Sequence, residues 1–415
     1  MTIVEFYDKT AVENIISTLL CFPDKVIFVG DSAKKMNKSI EVYKKIAEKR
    51  NIQVEFFCRS VNRNDLGSIV EALSKIVEEN GECVFDLLGG EELYLVAVGM
   101  ISERYKEKIK LRRFNISSNV LLDCGKHETI KKVTDLELSV DETIGIYGGR
   151  IMYESQFANT THKWNFSNEF CNDIALMWSI CKENPVRWNL QTTALGLFSE
   201  EYGEEGSLEL HVDTNKAKEK IEEKFFFEEG FFRKLYLKGI LSHFRCEEGV
   251  FSLLFKSEDI KKCLTKAGQV LELFVLITAM NSTDKDGEYV YSDIKTGVHI
   301  DWDGRQIAMG TADVTNEIDV ILMKGLIPIF ISCKNGRNMS VDELYKLSAV
   351  ADHFGGKYAK KVLVMSELDL TNERGKYIKA RTEDMGISYV FNAATISEKE
   401  FSNYIKNFWR NQAQS

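Results

Sequence analysis

Glu317-Ile-Asp-Val-Ile-Leu-Met-Lys-Gly-Leu-Ile-Pro-Ile-Phe-Ile-Ser-Cys-Lys334 reads as two strands joined by a turn at Gly325 and Pro328. β-Branched and apolar residues dominate both halves. Side chains alternate along a strand, so Glu317 and Asp319 share one face while Ile318 and Val320 take the other. On the second strand Ser332 and Lys334 share a face, opposite Ile329, Ile331 and Cys333. Pairing the strands gathers two carboxylates, a hydroxyl and an ammonium at the edge of an apolar sheet. Polar groups placed there cost free energy unless they are partnered. Hard oxygen ligands suit Mg²⁺ or Mn²⁺, and a nearby lysine orients or activates a water against a phosphodiester. A plain salt bridge between Asp319 and Lys334 accounts for the same spacing.

The segment Lys266-Ala-Gly-Gln-Val-Leu-Glu-Leu-Phe-Val-Leu-Ile-Thr-Ala279 reads as an apolar helix with Glu272 alone inside it. A carboxylate among apolar neighbours needs a cation or a metal as partner. Glu343 lies on a helix spanning Val341–Phe354, after the lysine strand, and is either a further member of the cluster or a solvated charge.

The order of a Glu-bearing helix, an Asp strand, a Ser-x-Lys strand and a helix resembles the PD-(D/E)xK restriction-endonuclease-like nucleases. The resemblance implies Asp319 as the principal metal ligand, Lys334 as the catalytic lysine and Glu272 as the accessory acid. It implies the Cys333 carbonyl as a third ligand of Mn²⁺ or Mg²⁺. Ser332 stands where many members carry a carboxylate, which leaves Glu343 or Glu317 to supply it.

The chain has 415 residues, too many for one ordinary core. Its 44% hydrophobic and 28% charged content is that of a globular protein. Three prolines and no Ser/Gly tract leave little room for long linkers. Met1 to Asp8 is a strand pattern ending in charge, without signal-peptide character, and no apolar run reaches membrane-spanning length. Nine cysteines without CxxC spacing argue for reduced thiols, a cytoplasmic home and no zinc, and six histidines form no ligand pattern. The net charge of −9 argues against tight, sequence-independent binding to long DNA, because backbone affinity comes from Lys and Arg.

Residues 1–150 alternate strands (Thr2–Tyr7, Lys25–Val29, Ile52–Phe57, Cys83–Leu88) with helices (Ala11–Leu20, Ser32–Arg50, Asp65–Asn80, Glu91–Tyr105). That rhythm predicts an α/β fold with a parallel, Rossmann-like sheet, its ligands beyond the carboxyl ends of the strands. Two loops lie there, Asp8-Lys-Thr10 and Gly89-Gly90. A glycine pair at a strand–helix junction is either a phosphate cradle or a tight turn. The absence of GxGxxG argues against a dinucleotide oxidoreductase.

The stretch Phe85-Asp-Leu-Leu-Gly-Gly-Glu-Glu-Leu-Tyr-Leu-Val-Ala-Val-Gly99 resembles the signature loop of CARF domains, the CRISPR-associated Rossmann sensors. Leu138-Ser-Val-Asp-Glu-Thr-Ile-Gly-Ile-Tyr-Gly-Gly149 is similar to that domain's boundary in fused CARF nucleases. The resemblance implies a homodimer whose paired loops hold a cyclic oligoadenylate, with cyclic tetra-adenylate as the expected form, made by type III CRISPR complexes in antiviral defence. Asp8, Lys9, Thr10, Gly89, Gly90 and Glu91 would face the messenger. The family loop often carries Thr before the glycines and Thr-Lys after them. Here Leu88 and Glu91-Glu92 stand instead, so the acidic side chains are expected to meet ribose hydroxyls or adenine amino groups.

Residues 151–265 are the least legible. Phe166–Cys181 reads as an amphipathic helix and Lys216–Phe227 as a charged one. The order helix Phe231–Leu241, strand Phe251–Phe255, helix Ser257–Leu264 suggests a small winged-helix-like module. It shows no basic stripe, and Glu222, Glu223, Glu228 and Glu229 are acidic, which favours a spacer over a nucleic-acid reader. After Lys334 the sequence predicts strands Lys361–Met365 and Gly386–Phe391 and a closing helix Ser397–Trp409. The expectation is therefore a CARF sensor (1–150), a connecting module (151–265) and a restriction-endonuclease-like α/β domain (266–415). Its function would be messenger-activated, metal-dependent cleavage of DNA or RNA, away from membranes. Two alternatives are a ring nuclease that degrades the messenger, and a messenger-controlled binding regulator without catalysis.

Overall fold

The computed structural model describes residues 1–126, 128–153, 160–213, 227–304, 315–337 and 339–410. Five parallel strands open the chain: β1 (Thr2–Phe6), β2 (Lys25–Gly30), β3 (Glu55–Ser60), β4 (Cys83–Asp86) and β5 (Ile109–Asn115). Helices α1 (Glu13–Cys21), α2 (Ala33–Lys49), α3 (Leu66–Asn80) and α4 (Glu92–Arg104) connect them. Local chemistry sets their starts. Ser32 caps α2 by accepting from the Lys35 N–H, and Asp65 caps α3 by accepting from Ser68. β6 (Val120–Asp123) and β7 (Glu128–Lys132) add an antiparallel edge, giving the order β3-β2-β1-β4-β5-β6-β7.

Helices cover both faces of this sheet, so its central strands are buried almost throughout. Val4, Phe6, Val29 and Phe85 pack on α3 and α4. Ile3, Val26, Phe28 and Val84 pack on α1 and α2, and this core runs on into a second sheet. Strand order reverses between β1 and β4, which opens a crevice beyond their carboxyl ends.

α5 (Val140–Ile146) follows, started by a capping box between Ser139 and Glu142. The stretch read as a domain boundary is thus a helix and a short strand, β8 (Arg150–Ile151), that pairs with the C-terminal sheet. The middle of the chain holds α6 (Asn168–Cys181), α7 (Pro185–Tyr202), β9 (Glu209–Asp213), α8 (Glu229–Leu237), β10 (Leu241–Glu247), β11 (Val250–Phe255) and α9 (Glu258–Thr265). β10, β11 and β9 form a three-stranded antiparallel sheet. Its hairpin turns on Glu248 (φ 50°) and Gly249 (φ 82°), the positive pair that a two-residue primed turn requires. The helix expected over Phe231–Leu241 ends earlier, at Leu237, because Gly239 (φ 74°) turns the chain into β10. The charged helix expected over Lys216–Phe227 lies outside the described residues except for Phe227, whose ring stacks on Phe251 at 4.2 Å.

α10 (Gln269–Met280) starts three residues later than expected, because Gly268 sits at φ 89° and separates Lys266 from the helix. β12 (Asp293–Asp301), β13 (Thr315–Lys324) and β14 (Ile327–Lys334) form a meander, followed by α11 (Asp342–Gly355), β15 (Lys360–Met365), α12 (Glu373–Asp384), β16 (Ser388–Val390) and α13 (Glu398–Asn407). The sheet order is β16-β15-β14-β13-β12-β8, parallel on the β14-β15-β16 side. One face packs Val320, Leu322, Ile329 and Ile331 with residues of α6, α10 and α13. The other packs Ile321, Met323, Phe330 and Leu363 with residues of α5 and α11. Among the described residues no helix is long and apolar enough to cross a membrane.

Candidate functional site

Pairing of β13 with β14 runs from Lys324↔Ile327 to Val320↔Ile331 and stops there. Beyond that point the strands part, and Asp319 closes the gap. Its Oδ2 accepts the Cys333 N–H at 2.6 Å and the Ser332 hydroxyl at 3.3 Å. Glu317, Asp319, Ser332, Glu343 and Lys346 line the small cleft that results. The plain Asp319–Lys334 salt bridge that the spacing also allowed is not the pair formed. Lys334 Nζ lies 3.1 Å from Glu343 on the first turn of α11, which gives Glu343 a partner rather than a solvated position. Glu317 is held by Lys266 at 2.8 Å, with His299 of β12 at 3.8 Å. Lys266 reaches this acid because Gly268 keeps it out of α10. Glu272 is buried on α10, and its Oε2 accepts the Gln269 amide at 2.8 Å. The Cys333 thiol faces the apolar core, and burial pushes its pKa well up.

Burial raises the Glu272 carboxyl well above the usual range, and the Asp319 charge raises it further, against a lowering by Lys266. Burial also raises Asp319, opposed by Lys334 and the Cys333 N–H. Glu317 behaves oppositely. Burial would raise it, but the Lys266 ammonium overrides that and leaves it lowered. Desolvation works to lower Lys334, yet Asp319 and Glu343 dominate, so its pKa is raised and it stays an ammonium.

Two buried carboxylates that repel each other are relieved by a cation. No group of three His, Cys, Asp or Glu residues near enough to hold a metal exists among the described residues. Mg²⁺ takes one or two carboxylates and completes its shell with water and phosphate oxygens, so the Asp319 and Glu272 carboxylates, each raised by burial, are donors of the type such an ion takes.

The crevice between β1 and β4 opens into a cavity of about 750 Å³. Asp8, Lys9, Thr10 and Glu91 line it. Gly89 and Gly90 do not stand among its lining residues. A Cβ on Gly90 would lie 2.7 Å from Phe6 Cβ, so the loop packs closely on β1 at this glycine. Asp8 also has a different role. Its two carboxylate oxygens accept the Thr10 N–H (2.7 Å) and the Gly90 N–H (3.2 Å), tying the two loops together. Glu91 pairs with Arg63 at 3.1 Å.

Sequence reasoning missed Lys35, Lys38, Arg63, Tyr147 and His353 on the cavity wall. Lys35 and Lys38 follow the carboxyl end of β2 and Arg63 that of β3, so the strand-end rule that found Asp8 also reaches them. Asp352, His353 and Gly356 come from the end of α11, whose first turn carries Glu343 at the cleft. One helix therefore contributes to both sites.

No protein-family model and no curated protein matches the chain. Two solved structures match it end to end. Protein VC1899 from Vibrio cholerae is 19% identical with a TM-score of 0.73, covering 99% of this chain and 98% of its own. Can2 from Sulfobacillus thermosulfidooxidans, solved in complex with cyclic tetra-adenylate, is 15% identical with a TM-score of 0.66, covering 100% and 99%. From the Rossmann-like sheet through the middle module to the second sheet, this chain has the fold of VC1899 and of Can2.

Proposed function

We propose that this protein is a nuclease of type III CRISPR defence, switched on by a cyclic oligoadenylate. The observation that carries the reading is the pairing, in one fold, of a cavity at the β1–β4 crevice with a cleft at the other sheet lined by Asp319, Ser332 and Glu343, the last held by Lys334. The whole-length likeness to a cyclic tetra-adenylate complex supports the sensor half. Lys9, Lys35, Lys38 and Arg63 supply cations for phosphates, and Glu91 is released to ribose or adenine if phosphates take over Arg63.

In the cleft, Asp319, Glu272 and the Cys333 carbonyl would hold Mn²⁺ or Mg²⁺, which supplies Lewis-acid activation of water and of the scissile phosphate. Lys334, fixed by Glu343, stays cationic beside Asp319. It orients the attacking water and stabilises charge as the phosphorus–oxygen bond to the leaving group breaks. Ser332 and the Cys333 N–H hold the Asp319 carboxylate in place. Chelation with EDTA should abolish cleavage, and Mn²⁺ should restore it.

Activation would pass along α11. Messenger contact near His353 biases the position of a helix whose other end sets Glu343 and Lys334, and only differential affinity for the active arrangement shifts the population. A homodimer would bring two cavities together through α4, whose Leu95, Val96 and Met100 are exposed. Calorimetric titration of cyclic tetra-adenylate tests the sensor half. Arg63→Ala and Lys38→Ala should each weaken binding on the order of tenfold, whereas heat-silent mixing with the unaltered protein would remove the sensor reading. A second reading, hydrolysis of the messenger itself, draws on Lys9 and Thr10 on the cavity wall. It predicts messenger turnover that survives Asp319→Ala.

A further inference from the structure

The lysines at the cleft between β13 and β14 are not in the same state. Lys334 holds Glu343 at 3.1 Å, and Lys266 holds Glu317 at 2.8 Å. Lys346 stands on the cleft wall itself, with Glu317, Asp319, Ser332 and Glu343. It comes from α11, three residues after Glu343, and Leu347 completes the same helix face at the next position. Lys346 is partly buried there, yet among the described residues it takes part in no ion pair and no hydrogen bond.

Its charge is nevertheless felt in the cleft. Burial raises the Asp319 carboxyl, and Lys346 opposes that rise behind Lys334 and the Cys333 N–H. At Glu317, where burial also works upward, Lys346 adds to the lowering by Lys266. The ammonium thus acts on both acids and bonds neither, which leaves its three N–H donors open. On an open surface that state costs nothing, because water fills the shell. In a wall of carboxylates, closing on an acid would gain a charge-assisted hydrogen bond, as Lys334 and Lys266 do.

An anion entering this cleft meets Glu317, Asp319 and Glu343, and the whole chain carries a net charge of −9. Attraction for a phosphate therefore has to be local. Lys334 and Lys266 can offer it only by releasing an acid. Lys346 offers it without breaking a bond, and a lysine binds phosphate well as a point charge.

We propose that Lys346 is a substrate-contact residue, its ammonium receiving a non-bridging oxygen of a phosphodiester as a nucleic-acid strand enters the cleft. The proposal deepens the nuclease reading and rests on it for the identity of the anion. The contact is indifferent to sequence, because every linkage carries the same oxygens.

The test is fluorescence anisotropy of a labelled oligodeoxythymidine of roughly 20 nucleotides, long enough to cross the cleft. It is titrated over a range of salt concentrations. Cyclic tetra-adenylate and EDTA are present, so binding is read without cutting. On a single strand, each lost phosphate contact flattens the fall of log affinity with log salt by roughly 0.7. Lys346→Gln should show that change, which at about 0.1 M salt is roughly fivefold in affinity. Lys346→Arg should keep the slope of the unaltered protein. All three should bind alike to the same sequence carrying uncharged methylphosphonate linkages, a result that a purely structural lysine would not produce. An unchanged slope in Lys346→Gln, an equal loss on the uncharged strand, or no binding by the unaltered protein would overturn the contact. If the charge-dependent loss holds while no strand is ever cut in Mn²⁺, the nuclease reading fails and the phosphate contact stands. Cutting in Mn²⁺ with an unchanged salt slope in Lys346→Gln would do the reverse.

Discussion

Lys334 and Asp319 sit on neighbouring strands, and period-two alternation was enough to find both in the sequence. The partners they choose were not legible, because those depend on where the strands part and on a loop. Asp319 turns to the Cys333 N–H at the end of the β13–β14 ladder, and Lys334 turns to Glu343. If Glu343 positions Lys334, Glu343→Gln should lower cleavage about tenfold while leaving the Mn²⁺ concentration needed for half-maximal rate unchanged. A large rise in that concentration would instead make Glu343 a metal ligand. Asp86 offers a test at the same scale in the N-terminal sheet. It is fully buried, accepts the Leu88 N–H at 2.8 Å and the Ser17 hydroxyl, and burial pushes its pKa from 3.8 up to about 6. Between those two values the folded state binds more protons than the unfolded chain, so stability is greatest below 3.8 and declines as pH rises through 6. Asp86→Asn, which keeps an acceptor oxygen, should gain on the order of 2–3 kcal/mol above pH 7, and should flatten the fall of Tm between about pH 4 and pH 6. An unchanged slope of Tm against pH would refute this.

The elements that announced themselves were those buried on both sides or plainly amphipathic, such as β1, β2, β4, α2 and α3. Strands β5 and β12 were missed, since Ile-Lys-Leu-Arg-Arg-Phe-Asn and Asp-Ile-Lys-Thr-Gly-Val-His-Ile-Asp expose alternate charged or polar residues and carry no long apolar run. Tertiary pairing, not propensity, makes them strands. The Gly89-Gly90 turn was legible in the sequence, but the close packing of Gly90 against Phe6 was not, because that contact is long-range. At Gly90, φ is 101° and an added Cβ meets Phe6 at 2.7 Å. Gly90→Ala should therefore cost on the order of 2 kcal/mol in urea unfolding and weaken messenger binding together. Full stability with weakened binding would return the glycine to a direct ligand role. Helix α11, with 14 residues, spans roughly 20 Å, enough to reach from the cleft to the cavity.

Two sheets share one continuous core with α1, α2, α5 and α11, so the N-terminal sheet and the cleft are parts of a single packed body. Composition gave the acidic charge, and the strand–helix rhythm gave the N-terminal sheet. The middle module stayed obscure because its core is built from phenylalanines brought together over long sequence separations. If α4 joins two protomers, Leu95→Glu with Met100→Glu should shift sedimentation from dimer to monomer and weaken messenger binding at least tenfold, since a buried charge there is unpaired. Retention of a dimer would place the interface elsewhere. The most direct test of the account is the initial rate of Mn²⁺-dependent cleavage of a labelled single strand, with and without cyclic tetra-adenylate, for the unaltered protein beside Asp319→Ala. The account predicts cutting only with the messenger and none by Asp319→Ala. Cutting that ignores the messenger, or that survives the loss of Asp319, would contradict it.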